Sequence, residues 1–135
     1  MMPHKILVVD DESHIVHVVS MKLTRAGYDV VTARDGEEAF EVCLAERPDM
    51  IVTDYQMPLL DGISMCRKLR TVSECAHIPA LLLTARGYEL SVADLAEVGI
   101  VAVMEKPFSP REIHAKVQEI IACAEQGRCP SRAIA

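Results

Sequence analysis

The chain has 135 residues and a formal net charge of −6, with 50% of its residues apolar and 25% charged. That length suits one domain around one core, and an acidic balance without a basic cluster argues against direct nucleic-acid binding. No stretch approaches the roughly eighteen uninterrupted apolar residues that a membrane span needs.

The elements follow in order. The opening MMPHKILVVDD carries one lysine and a short apolar run that ends in two acids. This is not the layout of a signal peptide, so the expected compartment is the cytoplasm. Lys5 to Val9 reads as a buried strand. Ile15, Val18, Val19 and Leu23 recur at helical spacing, and Gly27 stops that helix. Tyr28 to Ala33 is the second strand. Asp35 with Glu38 three residues on resembles a capping box, and the helix it opens continues through Ala39, Cys43 and Leu44 to Pro48. Met50 to Thr53 is the third strand, and Asp61 is placed to cap a helix whose inner face holds Ile63, Cys66 and Leu69. Ala80 to Leu83 is the fourth strand. Leu90 to Val98 is a weaker helix ended by Gly99, and Ile100 to Met104 is the fifth strand. Ser109-Pro110-Arg111-Glu112 starts the last helix with a cap, a proline at the first turn and a glutamate three after the cap. Its buried stripe is Ile113, Val117, Ile120, Ile121 and Ala124, and residues 125–135 read as a frayed tail.

Five strands alternating with five helices predict an α/β domain: a parallel sheet, doubly wound, with helices on both faces and right-handed crossovers. The five cysteines are odd in number and form no C-x-x-C pair, which predicts reduced thiols. His14 and His17 lie three apart on a helix with no third ligand nearby and are expected at the surface.

In such sheets ligands bind outside the carboxyl ends of the strands. The residues there are Asp10 and Asp11 after strand one, Asp54 after strand three, Thr84 after strand four and Lys106 after strand five. Taken singly each is unremarkable, since an Asp after a strand is usually a turn or cap residue. If the strands are neighbours, these side chains converge. Two carboxylates about 5 Å apart repel by roughly 3 kcal/mol at an effective dielectric near 20. A hard divalent cation with oxygen ligands answers that repulsion, and Mg²⁺ tolerates one or two carboxylates beside waters and phosphate. A cation, a lysine and a hydroxyl around one free carboxylate are the parts that stabilise a transferring phosphoryl group. The carboxylate is then the nucleophile. Asp54 ends its strand so as to project from the sheet rim, and the Gln56 carbonyl can turn back toward the cation.

With these residues in view, the chain resembles a response-regulator receiver domain of two-component signalling. The resemblance rests on Val8-Val-Asp-Asp-Glu12, Asp54-Tyr-Gln-Met-Pro58, Asp61-Gly62, Leu83-Thr-Ala85 and Lys106-Pro-Phe108. It spans residues 4 to 124 and implies a receiver domain over residues 1–124. It further implies a flavodoxin-like strand order of 2-1-3-4-5. Asp54 would accept a phosphoryl group from a histidine kinase or phosphotransfer protein. Asp11, Asp54 and the Gln56 backbone carbonyl would ligate Mg²⁺, with Asp10 nearby or through water. Thr84 and Lys106 would contact the phosphoryl oxygens, Gln56 and Arg86 would tune the phosphoryl lifetime, and the Lys106–Pro107 bond would be cis. The chain would act on no external substrate and, ending soon after helix five, reads as a stand-alone receiver that docks on a downstream protein, serves as a relay intermediate, or is a piece of a longer protein.

Two positions depart from the family pattern. Val103 stands where an aromatic residue is usual, three before the lysine, and Ile100 replaces the alanine that usually precedes strand five. The greasier strand predicts either a fuller core or a partner or homodimer surface on helix four, strand five and helix five. Among rivals, a phosphatase of the haloacid-dehalogenase type needs D-x-D at the first strand, whereas this chain has Asp10-Asp11-Glu12. A flavodoxin-like electron carrier needs a hydroxyl-rich phosphate loop where this one is acidic. A receiver-like docking module indifferent to phosphorylation is the third alternative, and the intact Asp, Thr and Lys set weighs against it.

Overall fold

The computed structural model describes residues 4–85 and 91–125. Its elements are β1 (Lys5–Val9), α1 (Ser13–Arg25), β2 (Asp29–Ala33), α2 (Gly36–Glu46), β3 (Met50–Asp54), α3 (Gly62–Leu69), β4 (Ala80–Thr84), α4 (Val92–Glu97), β5 (Ile100–Glu105) and α5 (Pro110–Glu125). The five strands form one sheet in the order β2-β1-β3-β4-β5, with every pairing parallel. The alternation and the strand order therefore come out as expected.

Successive side chains of a strand point to opposite faces, and β1 shows how this builds two cores. Leu7 and Val9 join one apolar layer with Ala39 and Cys43 of α2, Met65 and Cys66 of α3, and Leu95 of α4. Ile6 and Val8 join the other with Val19 and Leu23 of α1 and Ile113, Val117 and Ile120 of α5. The central strands β3 and β4 are buried along their whole length, as a parallel sheet covered on both faces requires.

The helix ends follow the sequence signals. Asp35 accepts from the Glu38 amide at 2.8 Å, and Asp61 accepts from the Ser64 amide at 2.7 Å. Ser109 and Glu112 close a capping box with two bonds of 3.1 Å. At α2 the reciprocal bond runs from the Arg34 amide to Glu38 at 2.7 Å, one residue upstream of the cap. Gly27 and Gly99 end their helices at φ of 101° and 84°, conformations that L-residues avoid.

Several boundaries differ from expectation. β3 includes Asp54, β4 includes Thr84 and β5 reaches Glu105. The ladder continues past each polar residue, with Tyr55 N–H bonded to the Leu83 carbonyl and Lys106 N–H to the Thr84 carbonyl, both at 2.8 Å. Tyr28 is outside β2 because its amide closes the end of α1 on the Leu23 carbonyl at 3.1 Å. Helix α4 covers Val92–Glu97 only, and Leu90 lies outside the described residues.

The apolar run of β5 is core. Ile100, Val101 and Ala102 are all buried, and Val103 is half-buried against the α2–α3–α4 layer. The register slips between Ala80, opposite Ile100, and Leu81, opposite Ala102. Val101 is thus an inserted bulge residue, and it faces the α1–α5 layer while Ile100 and Val103 face the other. The fuller-core reading holds, and Ile100 and Val101 offer no exposed patch. Cys43, Cys66 and Cys75 are buried free thiols, and burial pushes the first two up to about 12, which makes them inert. Cys129 lies outside the described residues. His14 and His17 are exposed, as expected.

Candidate functional site

A parallel sheet puts every strand's carboxyl end on the same edge, and the β1, β3, β4 and β5 ends are contiguous here. Asp10 follows β1, Asp54 ends β3, and an oxygen from each of Asp10, Asp11 and Asp54 lies within 4.8 Å of the others. Lys106 reaches in from the end of β5. Its Nζ is 3.0 Å from Asp54 Oδ1, 3.4 Å from Asp10 Oδ2 and 3.8 Å from Glu12 Oε1. Three carboxylates thus face one ammonium, and the cluster carries excess negative charge.

Burial sharpens that imbalance. Asp10 is 0% exposed and Asp54 only 6%. Burial pushes the Asp10 carboxyl up to about 6; its hydrogen bond from the Glu12 amide at 2.9 Å opposes this, Asp54's charge adds to it, and Lys106 again opposes. Asp54 is also raised, first by burial and further by Asp11, against the hydrogen bond and charge of Lys106. On Lys106, burial acts to lower the ammonium's pKa, and the bonds and charges of Asp54 and Asp10 outweigh it, so the group is held above its ordinary value. The site thus keeps a fixed cation beside carboxylates whose charged forms burial disfavours. Hard oxygen donors at this spacing fit a divalent cation.

The other expected members are less committed. Thr84 is buried at the end of β4, and its hydroxyl donates to the Ala85 carbonyl at 3.2 Å. Gln56 is exposed in the loop after β3. Arg86 lies outside the described residues. The Lys106–Pro107 bond is cis.

The loop from Tyr55 to Asp61 is closed at its neck by Gly62 N–H on the Tyr55 carbonyl at 2.8 Å. Gly62 abuts the Asp54 carbonyl so closely that a Cβ there would overlap the oxygen. Near the tip, Leu60 N–H bonds the Pro58 carbonyl at 2.8 Å with Leu59 at φ 72° between them. That is a γ-turn of the strained hand. Sequence reasoning found neither this turn nor a role for Glu12 at the Lys106 head group. Glu12 was visible in the acidic run after β1, whereas a γ-turn on leucine leaves no compositional trace.

Residues 6–118 match the family model described as the response regulator receiver domain. The chain belongs to that family. This receiver is 47% identical over 124 residues to the alkaline phosphatase synthesis transcriptional regulatory protein PhoP of Bacillus subtilis, an alignment covering 92% of this chain and 51% of that protein. It is 35% identical to the phosphate regulon transcriptional regulatory protein PhoB of Pseudomonas aeruginosa, over 86% of this chain and 51% of that one. The receiver therefore spans about half the length of these curated relatives. Among solved structures it is similar to the chemotaxis response regulator CheY4 of Vibrio cholerae, with a TM-score of 0.78 and 33% identity over 87% of this chain and 98% of that one. It is also similar to the receiver domain of the sensor histidine kinase PA1611 of Pseudomonas aeruginosa, with a TM-score of 0.78 and 28% identity over 89% and 98% of the two chains. That structure is described as holding a magnesium ion in its active-site cleft. Among the described residues no helix is long and apolar enough to cross a membrane.

Proposed function

We propose that Asp54 is the phosphoacceptor of this receiver and that the acidic cluster around it binds Mg²⁺. The observation that carries this reading is the convergence of Asp10, Asp11, Asp54 and Lys106 at one sheet edge. The magnesium ion in the PA1611 receiver supports the choice of cation. The ionised Asp54 oxygen attacks phosphorus on a donor phosphohistidine, the P–N bond breaks, and the imidazole leaves with the electron pair and takes up a proton. The Lys106 ammonium, now 3.0 Å from Asp54 Oδ1, exchanges that contact for a phosphoryl oxygen. Thr84 turns its hydroxyl from the Ala85 carbonyl to another. Bound Mg²⁺ supplies positive charge against the phosphoryl oxygens. The donor, a histidine kinase or phosphotransfer protein, enters from the open side, where Glu12, Ile15, Ala85, Lys106, Pro107 and Phe108 line a cavity of about 350 Å³. Incubation with a small acyl-phosphate donor should add one phosphoryl group by intact mass, only with Mg²⁺ present. Labelling without the metal overturns the reading.

Asp11 is the direct ligand in this scheme. Asp10 is fully buried and already engaged by Lys106 and the Glu12 amide, whereas Asp11 is exposed. Asp11→Ala is therefore expected to weaken Mg²⁺ binding by about tenfold or more, and by more than Asp10→Ala does. Titration calorimetry of the two variants checks the ranking, and equal affinities would remove Asp11 from the ligand set.

Output passes through α4, β5 and α5, by association with a downstream protein or a second copy. The half-buried Val103 has few rotamers, so the signal rests on movement of Thr84 and α4 rather than on a swinging ring. The PhoP and PhoB relatives favour transcriptional control as the downstream event, against docking by a stand-alone regulator. Sedimentation and amide exchange with and without beryllofluoride, a phosphoryl mimic, test the surface. Changed protection is expected across residues 91 to 108. Changes confined to Asp11, Asp54 and Thr84 place the output elsewhere.

A further inference from the structure

Gly36 opens α2 and is buried, although it belongs to neither the acidic cluster nor the strand ends. A Cβ built on it would overlap the Leu60 carbonyl oxygen and lie 2.7 Å from Leu60 Cβ and 2.9 Å from the Leu60 carbonyl carbon. The end of the β3–α3 loop, just before the α3 cap, is therefore seated on bare backbone at the start of α2.

Both sides of this contact are constrained, the α2 side the more firmly. On the α2 side, Asp35 accepts from the Glu38 amide and Glu38 accepts from the Arg34 amide, which ties down residues 34 to 38. On the loop side, Leu59 already sits at φ 72° beside the Leu60 N–H to Pro58 bond, a conformation that a leucine avoids. Two residues past Leu60, Gly62 closes the neck against Asp54 and Tyr55, and the start of the loop is held by Tyr55 N–H on the Leu83 carbonyl. Gln56 lies between Tyr55 and the seat. The loop is thus a short span held at its start by the Tyr55 ladder bond and at its end by two close approaches that only glycine allows.

We propose that Gly36 is a positioning residue for the cation site: by admitting the Leu60 backbone, it holds the β3–α3 loop at the height that presents the Gln56 carbonyl beside Asp54. This rests on the reading of the acidic cluster as an Mg²⁺ site. A methyl group at position 36 has to displace Leu60, because the doubly capped helix start resists more than the strained turn does. Displacement at the seat passes back through the Leu59 turn and carries Gln56 away from the carboxylates. The carboxylates themselves stay at the ends of β1 and β3.

The test is Mg²⁺ titration calorimetry on the full chain as wild type, Gly36→Ala and Val117→Ala. Val117 is buried in the opposite core layer, on α5, so its truncation destabilises the fold without touching the loop. Gly36→Ala is expected to weaken Mg²⁺ by about tenfold, in line with groups that orient metal ligands, while Val117→Ala keeps wild-type affinity. Wild-type affinity in Gly36→Ala, or an equal loss in Val117→Ala, overturns the proposal. Failure of the wild type to bind Mg²⁺ instead overturns the cation site on which it stands. A second measurement uses wild type alone and so does not depend on the variant folding. Coupling is reciprocal, so Mg²⁺ should slow amide exchange at residues 35 to 38 as well as at 55 to 62, and leave α5 unchanged. Exchange at residues 35 to 38 that ignores the metal counts against the seat.

Discussion

Asp54→Asn should abolish phosphoryl uptake while keeping the fold. The substitution is nearly isosteric and removes only the nucleophilic charge, so the β3 ladder, including the Tyr55 bond to the Leu83 carbonyl, has no reason to change. Asp10 and Asp11 remain in place, and neither is positioned to substitute: Asp10 is fully buried against Lys106, and Asp11 is exposed to solvent. Intact mass after treatment with an acyl phosphate and Mg²⁺ should show one added phosphoryl in wild type and none in the variant. Labelling at the wild-type level in Asp54→Asn would move the phosphoacceptor to another residue. The folded apo variant should also be at least as stable as wild type, because burial holds Asp54's carboxyl above its ordinary value and the charged form is therefore the costly one.

Lys106→Met carries the second large effect, on stability rather than chemistry. Lys106 is the one cation recorded in contact with both Asp10 and Asp54 among the described residues. Taking it away leaves two buried carboxylates without a counter-charge. Loss of one member of a buried ion pair costs about 3–5 kcal/mol, and partial exposure of the lysine brings the expectation here to about 2–3 kcal/mol. The pH dependence follows from Asp10, whose carboxyl is raised from 3.8 to about 6. A raised carboxyl means that the folded state binds its proton more tightly than the unfolded state. Stability therefore falls as pH rises through that window and is lowest once Asp10 is ionised. Without Lys106 the group is raised further, so the deficit of the variant is largest at neutral pH and shrinks in mildly acidic buffer. Mg²⁺ should restore part of the loss by supplying the missing charge. Urea melts of both proteins, at neutral and mildly acidic pH with and without Mg²⁺, check all three statements. A deficit that is the same at both pH values would show that Lys106 acts through packing alone.

Much of this architecture is legible in the chain because its causes are local. Short apolar runs separated by segments of helical spacing imply strands buried on both faces. Asp35, Asp61 and Ser109 announce helix starts through bonds to residues three positions away. The site was legible for a related reason. In a parallel sheet all carboxyl ends share an edge, so polar residues that terminate apolar runs must gather there once the strands are neighbours.

What tertiary structure alone decided are contacts between segments distant in sequence, where no periodicity reports. The slip between β4 and β5 turns Val101 to the α1–α5 layer and separates it from Ile100 and Val103, which share the other. Composition could say that strand five is greasy, and only the register says that the grease is core. The sharing of Lys106 between Asp10 and Asp54 depends on side chains 96 and 52 residues apart reaching one point. The seat of Leu60 on Gly36 depends on two backbones meeting where a single methyl group would keep them apart. Such close approaches are steric, and a glycine written in a sequence does not say which neighbour requires its missing side chain.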